Sequence, residues 1–399
     1  MISSAALAVI MGMGFSRAIH FTNAQEVNTA YVQAASIDKN MPNGIITHGK
    51  SAFLMDFTTN SVILAQNETE HLPIASMCKI MTLILAFDAI SAGDLSLDEE
   101  IFVSERAASM GGSQVFLEKN AKYPVRELLK SIVVCSANDS CVAIAERVAG
   151  NEEAFTDRMC ERAKSLGAND TLFANCTGLP KEPQYSCAKD VAIMLKELLK
   201  HEEYYKFGNV WLDKFNHPKG RLTEITNTNT LSRLYDGCEG GKTGFTNQAG
   251  FCLAATAKRN GLRVISVVIG ADTSQHRFDD VRGMFDYAFA NYIMTPIAEA
   301  NVALEQCAPI VNGKEKTVTV CPERTAAAFQ KRGEKSGIST DTRFYTMSAP
   351  IQKGQKVGEL VVYKDGVETD RVALVAMQDV GKATWFDQLR DIAKQWTKR

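Results

Sequence analysis

The sequence predicts an α+β protein: an antiparallel sheet covered by helices, followed by a small all-β domain and an amphipathic C-terminal helix. Three observations lead there. Apolar runs at 51–65 form an early hairpin. Helical patterns occupy 72–200, and period-two alternation takes over after residue 250.

Ser51–Asp56 and Ser61–Ala65 flank Thr58-Thr59-Asn60, which reads as a β-hairpin. Leu72 to Phe87 is an almost wholly apolar helix opened by Pro73. A helix hydrophobic on all sides belongs at the centre of a core. Val125–Val134 and Ser140–Val148 are helical patterns on either side of the tight connection Ser136-Ala137-Asn138-Asp139. Ala188–Lys200 follows Ser186 as its expected N-cap. Phe251–Ala257 and Leu262–Ile269 are strands joined across Asn260-Gly261, a strong hairpin signal, and the helix Phe278–Phe289 follows. From Pro296 the character changes. Residues 297–377 hold short Val-rich runs (Thr317–Val320, Gly358–Tyr363, Arg371–Val375) with turns such as Asp365-Gly366. No catalytic constellation lies in that stretch.

With 399 residues the chain is long enough for two or three domains. Its 45% hydrophobic and 23% charged content excludes collagen, a coiled coil, a disordered chain and a polytopic membrane protein. A net charge of −2 argues against a nucleic-acid binder, which needs a basic surface facing phosphate. The expected organisation is a leader at 1–24, a catalytic domain at 40–292, a sandwich-like β domain at 296–377 and a helix at 381–399.

Ala5–Phe15 is an apolar run of signal-peptide length, too short to span a bilayer, with Thr22-Asn23-Ala24 as a cleavage site. The stretch before Arg17 lacks the basic residue usual in a leader. At the other end Trp385, Leu389, Ile392 and Trp396 recur at helical spacing. From Gly381 onward there are five cations and two anions, so this helix is expected to lie in a membrane interface. Export implies an oxidising compartment. Even so, no C-x-x-C pair occurs, and most of the ten Cys sit within apolar patterns, so most are expected to be free packing residues. Cys307 and Cys321 are the pair best placed for a bridge. No metal or other cofactor is implied.

Lys79 is the one charged residue between Leu72 and Phe87. Burying an unpaired ammonium is costly, so such a lysine loses its proton more readily. Ser76 lies one turn away on the same face, and a serine beside a neutral amine is an activated nucleophile. The S-x-x-K pattern alone is weak, because it recurs at Ser36–Lys39 and Ser186–Lys189. Ser136 and Asn138 put a hydroxyl and an amide in a tight turn between apolar helices. Lys242, Thr243 and Gly244 follow a Gly pair and open a strand, where a cation and a hydroxyl make a carboxylate-binding pair.

In the order S-x-x-K, S-x-N, K-T-G, these elements match the set shared by penicillin-binding proteins and β-lactamases. The surrounding phrases are Ala75-Ser-Met-Cys-Lys-Ile-Met-Thr82, Asn175-Cys-Thr-Gly-Leu-Pro180, Tyr185-Ser-Cys-Ala-Lys-Asp190 and Gly240-Gly-Lys-Thr-Gly-Phe-Thr246. They resemble the D-alanyl-D-alanine carboxypeptidases, the low-molecular-mass penicillin-binding proteins, over about residues 45 to 290. The β domain and tail resemble that family's C-terminal part more weakly. The resemblance implies a β-lactamase/transpeptidase-like fold and a serine carboxypeptidase that trims peptidoglycan stem pentapeptides and is acylated by β-lactams. It implies that Ser76 is the nucleophile, Lys79 its base and Ser136 the proton relay to the departing D-alanine. Asn138 would hold the peptide group, and Lys242 and Thr243 the terminal carboxylate. The N–H groups of Ser76 and Phe245 would form the oxyanion hole. It also implies attachment to the outer face of the bacterial cytoplasmic membrane.

Some positions depart from the family pattern. Phe245 replaces a His of some relatives, Gln184 stands where a His often precedes Tyr-Ser, and Cys78 and Cys187 stand where Thr is common. None removes a catalytic atom. The competing readings are a serine β-lactamase and an inactive cell-wall binding protein on the same scaffold. A class A β-lactamase deacylates with a Glu-held water, and Leu166–Asn175 contains no Glu.

Overall fold

A computed structural model describes residues 19–22, 47–387 and 389. The described residues fall into two compact units, one within 34–293 and the other within 1–33 and 294–399.

In the first unit, β1 (Ser51–Asp56) and β2 (Val62–Gln66) form the expected hairpin. They join β3 (Cys238–Thr246), β4 (Gly250–Arg259) and β5 (Leu262–Ala271) in a five-stranded sheet ordered β2-β1-β5-β4-β3. Every pairing in it is antiparallel. At the β4–β5 turn Asn260 and Gly261 both have positive φ (48° and 82°), as a two-residue hairpin of this twist requires. The strand β3, which carries Lys242, is thus an edge of the sheet.

The helices are α1 (Lys79–Ala92), α2 (Val125–Val134), α3 (Asn138–Ala149), α4 (Glu152–Ser165), α5 (Ala188–Leu198) and α6 (Ser274–Asn291). The helix expected from Leu72 in fact starts with a 3-10 turn at Ala75–Cys78, and α1 runs on to a left-handed Gly93 cap (φ 81°). Leu72 instead pairs with Ser186 in an isolated bridge, which keeps the preceding chain extended. Composition alone would let Ala75–Ala92 cross a membrane. Here it is the core helix: Ile80, Met81, Leu83, Ile84, Ala86 and Phe87 are all buried. The N-cap expected at Ser186 falls to Cys187, whose sulfur accepts from Asp190 N. The Ser186 hydroxyl shares a 2.7 Å hydrogen bond with Thr171.

The second unit is all-β. Its seven-stranded sheet includes β6 (Cys307–Val311), β7 (Thr317–Pro322), β9 (Ile338–Tyr345), β10 (Lys356–Lys364) and β11 (Val367–Ala376). A separate two-stranded sheet pairs β8 (Ala326–Lys331) with Tyr292–Ala298. Asp365-Gly366 makes the β10–β11 turn with positive φ at both residues. Its core holds Val318, Val320, Phe344, Leu360, Val362 and Leu374. The expected Cys307–Cys321 bridge is absent, and all ten cysteines are free. The reason is register: Cys307 faces Thr319 across β6 and β7, so Cys321 lies two residues further along.

Of the leader read at 1–24, the structure describes Ile19–Thr22, which pair in parallel with β9; the rest lies outside the described residues. The amphipathic helix read at 381–399 also lies largely outside them. Within its described part, Trp385 and Phe386 are exposed, with ring centroids 3.9 Å apart.

Candidate active site

Lys79 is fully buried at the first turn of α1. Its ammonium nitrogen Nζ donates to Ser76 Oγ at 2.8 Å and to the Thr177 carbonyl at 2.7 Å. No carboxylate pairs with it among the described residues. Burial therefore lowers its pKa from the ordinary lysine value, because the charged form loses its hydration. The other described S-x-x-K match is the opposite case, since Lys189 is exposed. One turn of helix joins Ser76 to an amine that gives up its proton readily. This is the arrangement a serine nucleophile needs.

Residues 175–178 hold this pair in place. Three successive backbone carbonyls accept from side chains of the first helical turns: Asn175 O from Cys78 Sγ, Cys176 O from Thr82 Oγ1 and Thr177 O from Lys79 Nζ. A buried backbone carbonyl must find a donor, and the 3-10 turn and α1 together supply all three. Asn175 also folds the segment on itself, its Oδ1 accepting from Thr177 N and Gly178 N. Gly178 has φ +81°, and a Cβ there would lie 2.0 Å from the Ala75 carbonyl oxygen. Ala75, just before Ser76, has the left-handed φ of 47°, unusual for a side-chain-bearing residue.

Ser136 repeats that strain with φ +63°, in the turn between α2 and α3. Its hydroxyl is buried and has no hydrogen-bond partner among the described residues. An orphaned buried hydroxyl calls for an explanation, and a group awaiting substrate is one. Asn138 opens α3; its Nδ2 donates to Gly111 O and its backbone N–H to Ser113 O, both at 2.7 Å. The neighbouring Asp139 carboxylate accepts from the N–H groups of Val115, Leu117 and Ser140. The 111–117 segment is thereby tied to the start of α3.

Strand β3 supplies the third side. Lys242 is 2% exposed, and its Nζ donates to its neighbour's carbonyl, Thr243 O, at 3.1 Å. Burial, and then the Lys79 charge, push its pKa well below the ordinary value. Thr243 Oγ1 donates to Thr228 Oγ1 at 2.7 Å. At Gly244 an added Cβ would lie 2.7 Å from Ile74 O and 3.2 Å from Ser76 N, so the absence of a side chain lets β3 press against the Ser76 backbone. Phe245 is half exposed and stacks on Phe251, with ring centroids 4.3 Å apart.

Sequence reasoning assigned no role to Thr177, Asn175 and Gly178, although their phrase was one of the matching ones. It passed over Arg277 entirely. Arg277 on α6 is 9% exposed and donates to Gly244 O at 3.2 Å. Its charge also lowers the pKa of Lys242, which makes it a second cation at β3. A lone Arg within a charged helical stretch carries no sequence signal for this.

Fold and site together fit the transpeptidase-like class of serine carboxypeptidases. The profile of the D-alanyl-D-alanine carboxypeptidase family matches residues 38–273, and that of the penicillin-binding protein 5 C-terminal domain matches 292–382. The chain belongs to the D-alanyl-D-alanine carboxypeptidase family, whose members are serine-type carboxypeptidases. It is 39% identical to the D-alanyl-D-alanine carboxypeptidase DacF of Bacillus subtilis, over 88% of this chain and 90% of that one. Penicillin binding protein 5 from Haemophilus influenzae superposes with a TM-score of 0.67 at 28% identity, covering 86% of this chain and 100% of that one. Penicillin-Binding Protein D2 from Listeria monocytogenes in its ampicillin-bound form covers 62% of this chain and 100% of that one, at 29% identity and TM-score 0.56.

Proposed function

We propose that the protein removes the terminal D-alanine from peptidoglycan stem pentapeptides through an acyl-enzyme on Ser76. The observation that carries this is the 2.8 Å contact between Lys79 Nζ and Ser76 Oγ, with no carboxylate paired to Lys79 among the described residues. Neutral Lys79 takes the Ser76 proton as Oγ attacks the carbonyl carbon of the penultimate D-alanine. The N–H groups of Ser76 and Phe245 receive the developing oxyanion. Ser136 passes a proton to the departing amine, which leaves as D-alanine. Water then cleaves the ester and restores Ser76. Lys242 and Thr243 hold the substrate's terminal carboxylate, with Arg277 behind them, and Asn138 holds the adjoining peptide group.

β-Lactams acylate the same serine in this reading. The ampicillin-bound form of the Listeria relative supports it. The decisive experiment mixes the purified protein with a fluorescent β-lactam and maps the adduct. A long-lived adduct on Ser76, lost in Ser76→Ala, is expected; no adduct, or one that survives the substitution, overturns the reading. Release of D-alanine from a peptide ending in D-Ala-D-Ala separates it from a β-lactamase. The chain is exported and held on the outer face of the membrane by residues 381–399. Deleting them moves it to the soluble fraction, and unchanged membrane association refutes the anchor.

A further inference from the structure

The start of α5 gathers metal-ligating side chains that none of the roles assigned above uses. Asp170, Cys187 and Asp190 each place one ligand atom within 4.8 Å of the other two. His71 adjoins them, its Nε2 3.1 Å from Asp170 Oδ1. Cys187 is fully buried and Asp190 is 2% exposed, whereas the Asp170 and His71 side chains are half exposed. The group is a recess with a buried floor and an open mouth.

We infer that these four residues form a site for one divalent transition-metal ion of the zinc class. Cys187 supplies a thiolate, His71 an imidazole nitrogen and each aspartate one oxygen. Binding breaks the Cys187 S–H bond, a metal–sulfur bond takes its place, and the proton leaves to solvent. The ligand types choose the metal. A thiolate and an imidazole suit zinc and its neighbours, whereas calcium and magnesium take oxygen ligands. Four such ligands make the closed tetrahedral shell of a structural zinc site.

Two observations point to an ion rather than to ordinary helix capping. The first is the thiol, which stands where Thr is common. The Cys187 sulfur accepts from Asp190 N only at 3.5 Å, and sulfur is a weak acceptor, so capping by itself favours a hydroxyl there. The second is charge. Asp190 accepts from Asp170 N at 2.7 Å and from Thr171 Oγ1 at 2.8 Å, both neutral donors. No Lys or Arg pairs with Asp190 or Asp170 among the described residues, although buried charges are ordinarily paired or bound to metals. A divalent ion supplies the missing positive charge. Two carboxylates, a thiolate and the ion leave a single negative charge, the sign that the N-terminal end of α5 favours.

The backbone holds the recess ready. Leu72 bridges Ser186 and Leu172 bridges Tyr185, so the three chain segments that supply ligands are knitted together. The Tyr185 ring stacks on His71 with centroids 4.3 Å apart and orients the imidazole. A zinc tetrahedron has edges of ~3.3–3.8 Å, so the half-exposed Asp170 and His71 side chains close on the ion by about 1 Å. Because the ligands come from three separate segments, no short cysteine or histidine spacing announces the site.

The test titrates cobalt(II), then zinc(II), into the full-length, untagged protein after treatment with a chelator. One equivalent of cobalt should bind with a near-ultraviolet thiolate-to-cobalt charge-transfer band and the strong visible bands of a tetrahedral site, and zinc should displace it. Zinc should raise the melting temperature of the wild type and leave that of Cys187→Thr unchanged. Cys187→Thr should also lose the charge-transfer band. Asp170→Asn and His71→Ala should each weaken zinc binding by more than about tenfold. No charge-transfer band, a band that persists in Cys187→Thr, or zinc affinity unchanged in either Asp170→Asn or His71→Ala overturns the site. The last two substitutions alter half-exposed side chains, so they decide the matter even if Cys187→Thr does not fold.

Discussion

Replacing Lys242 with Met should make the protein more stable while destroying its carboxylate binding. Lys242 and Lys79 are both buried, and each has only neutral oxygen partners: Thr243 O for the one, Ser76 Oγ and Thr177 O for the other. Burial lowers both pKa values, and Lys79 lowers that of Lys242 further. A lysine with a lowered folded-state pKa binds fewer protons folded than unfolded. Stability therefore climbs as pH rises from that depressed value towards the unfolded value of about 10.4. Below the depressed value the full cost of the buried charge is present. Exchanging an unpaired buried ammonium for a thioether of similar length removes that cost, which buried-charge replacements place at about 1–3 kcal/mol. For a unit of this size each kcal/mol moves the melting temperature by roughly 2–4 °C. Circular-dichroism melts at pH 7 and pH 9 measure this. Lys242→Met should melt above wild type at pH 7, and the gap should narrow at pH 9; the two chains are compared with each other because the buried thiols, whose pKa values are raised, lower the stability of both as pH passes the unfolded thiol value of about 8.5. D-Alanine release should fall sharply. A variant that melts below wild type at pH 7 would refute the reasoning, because Lys242 would then be a net stabilising group.

Three further outcomes follow from the same geometry. Gly178→Ala places a Cβ 2.0 Å from Ala75 O at a φ of +81°, so it should cost about 2–4 kcal/mol in thermal melts and slow Ser76 acylation by a β-lactam; unchanged acylation would mean the loop does not position the nucleophile. Ser136→Ala removes a hydroxyl that has no partner, so the melting temperature should stay within about 2 °C while D-alanine release falls roughly 10²-fold or more; retained turnover would remove Ser136 from the proton path. Asp139→Ala strips three backbone N–H groups of their acceptor and should cost about 2–4 kcal/mol, with faster amide hydrogen exchange at Val115 and Leu117; unchanged exchange there would show that the 111–117 segment is held otherwise.

Much of the site was legible because its chemistry is local. Ser76 and Lys79 share one helical turn, and Ser136 and Asn138 share one tight connection, so spacing alone put each pair together. The two hairpins were equally legible, since Asn260-Gly261 and Asp365-Gly366 need positive φ and few residues adopt it cheaply. The start of the helix was misplaced, since the expected helix begins at Leu72 while the 3-10 turn begins at Ala75 and α1 at Lys79. Pro73 is a fair helix opener, but the long-range bridge from Leu72 to Ser186 keeps that stretch extended, and no local pattern encodes a partner more than a hundred residues away. The Cys307–Cys321 pairing failed for a similar reason, because cross-strand register is set by the whole sheet and one offset separates two thiols on adjacent strands.

By itself the sequence determined the α+β class and the family and singled out the proposed reacting residues, because hydrophobic periodicity, turn chemistry and short motifs act over a few residues each. Only the tertiary structure decided the surroundings of those residues. It set the burial that lowers the Lys79 and Lys242 pKa values, and the three carbonyls of residues 175–177 that lock onto α1. It also set the close approach of Gly244 to Ser76 and the place of Arg277 behind β3. Each depends on segments far apart in the chain excluding water from one another. Desolvation is a property of the packed assembly, and no stretch of sequence carries it alone.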